Sequence, residues 1–199
     1  MRPTSIRAAR RLLFLVPAAV AFSHGQPMTL APQSRLWVDG TSTVRSWSCK
    51  ATELEATIES AGPAAVTATL AGEKSVKAVD VKIPAARLDC ANGTMNEHMR
   101  KALKAKEHPV IAFTVASYDV TKGDEGVTGT LNGQLTLGGT TKPIAVRATG
   151  TPAPDGTLHV TGTHEFAMTE FGIKPPTLML GTMKVGDKVK VSFDLFLKN

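Results

Sequence analysis

No acidic residue precedes Asp39, whereas Arg2, Arg7, Arg10 and Arg11 all come before residue 12. The apolar run that follows them, Leu12 to Phe22, is too short to cross a bilayer as a helix. A basic start, a short apolar stretch and then small residues predict a secretory signal peptide over residues 1–25. Ala19 and Ala21 fit cleavage after Ala21, and Ser23 and Gly25 fit cleavage after Gly25. The Arg10-Arg11 pair resembles a twin-arginine signal, and the ordinary secretory route is the preferred reading. Without this segment the formal charge falls from +6 to about +2. The basicity therefore belongs mostly to the leader and gives no argument for a nucleic-acid partner.

Cysteine is scarce too, and the two present, Cys49 and Cys90, are not in a C-x-x-C spacing. That disfavours a redox-active pair. In an exported chain two cysteines most often join, here closing a loop of about 40 residues worth roughly 4 kcal/mol at most; the alternative is two separate buried thiols. Catalytic motifs are missing altogether: there is no G-x-S-x-G elbow, P-loop, H-E-x-x-H or Gly-rich dinucleotide fingerprint. His159 and His164 are five apart, so on one strand they face opposite ways and cannot chelate together, and His98 and His108 flank a helix at no standard metal spacing. Glu53, Glu55 and Glu59 share a parity that reads as a solvated face. No catalytic residue and no metal ligand is expected.

What the chain does contain is alternation with a period of two. Leu36 and Val38 oppose Trp37 and Asp39; Leu54, Ala56 and Ile58 oppose the glutamates; Val79, Val81 and Ile83 oppose Asp80 and Lys82. Gly62-Pro63 marks a turn, after which Val66, Ala68 and Leu70 read as a further strand. The cleanest strand runs from Val127 to Leu137, with Gly129 and Gly133 on its apolar face, where a sheet must bend or make room. Gly138-Gly139 turns the chain into Ile144, Val146 and Ala148. Leu158 to Met168 and Val189 to Leu197 complete the series. One stretch breaks the pattern. From Gly93 to Phe113, Met95, Met99, Ala102 and Leu103 recur at helical spacing behind a Thr94-x-x-Glu97 capping box, until Pro109 restores the strand.

About eight to ten strands with turns every dozen residues predict one all-β antiparallel domain over residues 35–199, behind a flexible leader over residues 26–34. Sandwich and barrel both fit the count. The barrel leaves no open edge and, at about eight strands, can hold a small ligand. Apolar residues are abundant in the helix and in the irregular segment from Phe171 to Met183. They suit either plugs at the ends of a packed barrel or a soft surface for a variable ligand. Arg100, Lys101, Lys104 and Lys106 form either an ordinary solvated face or a collar for transient contact with an anionic membrane surface.

Five pieces of the chain, in order, resemble the YceI-like family of exported bacterial proteins. They are LWVDGTSTVRSW, VKIPAARLDCANGTMNEHMRKAL, KEHPVIAF, GTLNGQLTLGGTTKPIAV and MTEFGIKPP. The resemblance implies an up-and-down, lipocalin-like barrel with one short α-helix. It also implies a polyisoprenoid or other long-chain lipid as ligand, a polyprenyl chain or a quinone, with no further cofactor. Met168 stands where many relatives carry arginine, so no ligand-binding role for that arginine carries over. Cys49 and Cys90 lie outside the family pattern, so their disulfide rests on export alone. The expected ligand lining is Leu131, Leu135, Val146, Val160, Phe166, Phe193 and Leu195, with Met95, Met99, Ile111, Phe113, Phe171 and Ile173 near the mouth or base. The reading is a periplasmic or secreted lipid-binding monomer or homodimer without catalysis. Its rivals are a packed structural or protein-interaction module of the cell envelope and an enzyme acting on a lipid or quinone.

Overall fold

The computed structural model describes residues 27–178 and 182–199. The expected signal peptide and both cleavage positions lie outside them, as do Met179 and Leu180. Within the described residues the alternating runs form a closed eight-stave antiparallel barrel, and three of the staves are strands broken by a short kink.

The first stave is β1 (Pro27–Leu30) followed by β2 (Arg35–Ser42), and the second is β3 (Ser46–Ala51) followed by β4 (Glu55–Ser60). The third is β5 (Val76–Pro84) followed by β6 (Leu88–Asp89). Then come β7 (Val110–Tyr118), β9 (Val127–Leu137), β10 (Thr140–Pro152), β11 (Leu158–Ala167) and β13 (Met183–Lys198). Two-residue strands β8 (Thr121–Lys122) and β12 (Thr177–Leu178) edge β9 and β13. Each stave pairs with the next, and β13 returns to the first, meeting β2 along Val185–Asp194 and β1 at Leu30↔Leu197. Closure removes the free edge that a sixteen-residue terminal strand would expose. The β9–β10 hairpin turns on Gly138 and Gly139, both at positive φ, between the paired residues Leu137 and Thr140. Only such residues let a two-residue turn match the strand twist.

Three expectations are corrected. Residues 27–30 are not a flexible leader: Met28 is 1 % exposed, because β1 fills the gap between β4 and β13 and completes the ring. Among the described residues the barrel therefore includes Pro27–Leu30, ahead of Arg35. The run Ala65–Leu70 is a helix, α1, not a strand; six residues are too few to separate the two periods, and Ala65 and Val66 pack into the barrel end. Finally, the long helix, α2 (Gly93–Ala102), starts ahead of the Thr94–Glu97 capping box. Asn92 is its N-cap, its side-chain oxygen accepting the Met95 N–H at 2.9 Å.

Apolar residues collect at both ends. At one end α1 packs on Met28, Ile58, Leu158 and Leu197. At the other, Leu137, Phe171 and Ile173 meet Leu103 from the end of α2 and Phe166 from β11. A single turn of 3-10 helix, Met168–Phe171, ends at Gly172 in a left-handed conformation and brings Phe171 and Ile173 inward. The disulfide Cys49–Cys90 is formed and ties β3 to the segment just before α2.

Candidate ligand-binding lumen

Between the two end clusters the barrel is hollow. Parity puts one face of every stave inward. On β9 this is Val127, Gly129, Leu131, Leu135 and Leu137, and on β13 it is Val189, Val191, Phe193, Leu195 and Leu197. They enclose a cavity of about 340 Å³, within the usual range for small-molecule sites. Val127 and Leu137 both touch it and stand ten residues apart on β9, so the lining follows about 34 Å of strand. Phe113, Leu131, Leu135, Phe193 and Leu195 remain half-buried, because their inner surfaces face open space instead of packed neighbours.

The glycines on the apolar face make this room. A Cβ on Gly133 would come within 2.7 Å of the Phe113 ring, which lies across it from β7. On β7 a bulge between Val115 and Ser117 shifts the alternation, so that Tyr118, paired with Leu131, joins Phe113 on the inner face. Tyr118 accepts the Val76 N–H at 3.0 Å through its hydroxyl oxygen.

One side of the lumen is roofed by α2. Met99 and Leu103 reach the cavity, and the Met99 sulfur lies 3.7 Å from that of Cys90. Polar contacts hold the helix down at its start. Asn96 donates to Asp89 at 2.7 Å and accepts the Cys90 N–H at 2.8 Å, and Arg100 donates to the Ala86 carbonyl at 3.1 Å. The Asn96 amide, with the Ala91 N–H behind it, keeps the Asp89 carboxyl below its ordinary range.

Eleven of the thirteen residues expected as ligand lining border the cavity: Met99, Ile111, Phe113, Leu131, Leu135, Val146, Val160, Phe166, Ile173, Phe193 and Leu195. Two do not. Met95 sits half-buried at the start of α2, and Phe171 is packed in the end cluster with its ring edge-on to Phe166 at 5.1 Å. Leu36, Val38, Val79, Val81 and Val191 also border the cavity; their parity was readable, but which face turned inward was not. Trp47, Tyr118 and His164 join them. For Tyr118 there was no signal, since the bulge that reorients it leaves no mark on the alternation.

Among the described residues Asp119 is the charged side chain that borders the cavity. His159 and His164 do face opposite ways. His159 stacks on Phe196 with ring centroids 4.2 Å apart and pairs with Asp194, which also binds Arg35 at 2.6 Å. His159 first, then Arg35, hold the Asp194 carboxyl below its usual value against the opposing effect of partial burial. A second concavity of about 1170 Å³ runs over this outer face, but it is open and polar, with Arg147, Glu165 and Asp194 along it, and His164 borders both it and the lumen. Among the described residues no group of three or more His, Cys, Asp or Glu side chains is placed to hold a metal ion.

Comparison with known proteins places the chain by its fold. A family model described as the YceI-like domain matches residues 34–197. No curated protein matches the sequence closely enough to count as a relative. Among solved structures, BcnA from Burkholderia cenocepacia superposes with a TM-score of 0.65 at 17% identity, over 83% of this chain and 96% of its own. A polyisoprenoid binding domain from Saccharophagus degradans implicated in plant cell wall breakdown gives 0.62 at 14% identity, over 86% and 97%. The YCEI protein of Campylobacter jejuni gives 0.55 at 21% identity, over 74% and 82%.

Proposed function

The chain belongs to the YceI-like domain family, and on that premise we propose that it is an exported lipid-binding protein, holding a polyisoprenoid or other long-chain apolar ligand in its lumen for transport or storage. The observation that carries the proposal is the cavity of about 340 Å³ inside a wall almost wholly aliphatic and aromatic. Such a wall binds hydrocarbon through burial alone. At about 0.8 kcal/mol per CH₂, a fifteen-carbon chain gains about 12 kcal/mol before the cost of ordering it is subtracted. The Saccharophagus degradans domain, a polyisoprenoid binding domain of the same fold, supports this choice of ligand.

The ligand contacts proposed are the eleven expected residues that border the cavity, with α2 as the roof over them. The proposed role is binding without catalysis. A location outside the cytoplasm agrees with the Cys49–Cys90 disulfide. It also agrees with the lack, among the described residues, of any helix long and apolar enough to cross a membrane.

The test is organic extraction and native mass spectrometry of protein purified from several hosts, followed by uptake of a labelled polyprenol. A co-purifying long-chain lipid, or stoichiometric uptake, is the expected result. Protein that is empty from every host and takes up no polyprenol would overturn the proposal.

A further inference from the structure

Among the described residues that border the lumen is a polar side chain with no hydrogen-bond partner in the barrel. His164 lies on the inner face of β11, two residues before Phe166, with the two rings 6.0 Å apart. Its strand partner is Val191, whose own partner is Val38. On the other side, one position beyond the Arg147↔Thr163 pair, comes Val146, which pairs with Leu131, and Leu131 pairs with Tyr118. The imidazole is thus set in a belt of mostly aliphatic side chains around the cavity, with Tyr118 its aromatic member.

Other polar groups along the wall are engaged or turned outward, apart from the Tyr118 hydroxyl proton. Trp47 Nε1 donates to the Thr41 carbonyl at 3.0 Å, the Tyr118 oxygen accepts from Val76, and Thr69 bonds Ser75 at 2.5 Å. The Asp119 carboxylate accepts the Thr130 N–H at 2.9 Å, and Thr128 is exposed on the outward parity of β9. Among the described residues, nothing hydrogen-bonds to His164. A neutral imidazole has one N–H to donate and one nitrogen to accept. In the cavity both are free to meet a ligand oxygen.

We propose that His164 is the polar anchor of the lumen, hydrogen-bonding one uncharged oxygen group, a hydroxyl or carbonyl, on an otherwise hydrocarbon ligand. The inference rests on the lipid-binding reading above and adds the chemistry of the ligand's head. Neutrality follows from the wall: among the described residues no lysine or arginine borders the cavity, so a phosphate or carboxylate drawn inside would be buried without a counter-charge. One hydrogen-bonding residue in an apolar site can decide between ligands of equal shape, because the analogue lacking the oxygen leaves the imidazole unpaired.

The test uses the full mature chain and three probes of similar shape: farnesol, its hydrocarbon counterpart farnesene, and farnesyl phosphate, with affinities measured by calorimetry. Wild-type protein is expected to bind farnesol about tenfold more tightly than farnesene, equivalent to about 1.4 kcal/mol, and farnesyl phosphate more weakly than farnesol. In His164→Phe the preference for farnesol should shrink to about twofold while farnesene binding persists; His164→Gln, which keeps a donor and an acceptor, should retain part of the preference. Nitrogen NMR of the wild-type imidazole is a readout needing no variant: its signals should move on adding farnesol and not on adding farnesene.

A farnesol preference unchanged in His164→Phe, or an imidazole indifferent to farnesol, would overturn the anchor while leaving lipid binding intact. Tighter binding of the phosphate would overturn the neutral head group. Failure of all three probes to bind wild-type protein would bring down the anchor together with the reading beneath it.

Discussion

The ring of Phe193 on β13 lies against Gly162, its direct partner on β11. A Cβ on Gly162 would overlap that ring and stand 2.6 Å from the Arg147 carbonyl oxygen. The ring gains its place in the lumen from the missing side chain opposite. Gly162→Ala should therefore push Phe193 further into the cavity and cost about 1–3 kcal/mol through overpacking. Urea unfolding reads the stability and polyprenol uptake reads the lumen; both should fall together.

Hollow and packed regions of one barrel should respond differently to truncation. Met28 is 1 % exposed inside the end cluster, and Met28→Ala should cost about 2–5 kcal/mol. Leu135 already borders open space, and Leu135→Ala should cost only about 1 kcal/mol, the smaller part of the usual core penalty. Equal losses in paired urea titrations would mean that the lumen is not hollow in solution.

Joining Cys49 to Cys90 closes a loop across 41 residues of sequence. Replacing both by serine should lower stability by roughly 4 kcal/mol at most. The effect should be greatest locally, because Cys90 precedes the Asn92 cap and touches Met99. Hydrogen exchange should speed up over residues 93–102 more than over β9 and β10. Uniform acceleration would contradict a roof held by this bond.

Acid should weaken the fold through four carboxylates. The Asn96 amide at Asp89, the Thr157 hydroxyl at Asp155, the Thr169 hydroxyl at Asp187 and His159 at Asp194 each favour the ionised form in the folded state. A carboxyl held lower in the folded than in the unfolded chain adds stability that is fully present above the unfolded value, about 3.9. That stability is lost as the pH falls through the folded value. Asp187→Asn should thus be less stable than wild type at neutral pH, with the gap closing below about pH 4. Chemical unfolding from pH 7 down to pH 2.5 checks the sign; a gap that widens with acid would refute it.

Much of this was legible before any coordinates. The alternation Val127–Leu137, the Gly138-Gly139 turn and the break in pattern before Pro109 mark strand, hairpin and helix by local chemistry alone. The errors share a cause. Pro27–Leu30 is a short, proline-bearing segment with no pattern of its own, and it becomes a strand only because β4 and β13 leave a gap of its width. Ala65–Leu70 fits either period in six residues, and the open barrel end chooses the helix. Asn92 outcompetes Thr94 as cap because Asn96 is already bound to Asp89 and Cys90, which sets where the helix begins.

For the lumen, the order of residues assigns which side chains share a face, since side chains alternate along a strand whatever surrounds it. Which face turns inward, and the hollow inside, came with the folded ring alone. Those are properties of closure, in which eight staves set a width their side chains do not fill and glycines at 133 and 162 give the rings of Phe113 and Phe193 their places. Parity separated His164 from His159; closure is what puts one against hydrocarbon and leaves the other outside beside Asp194.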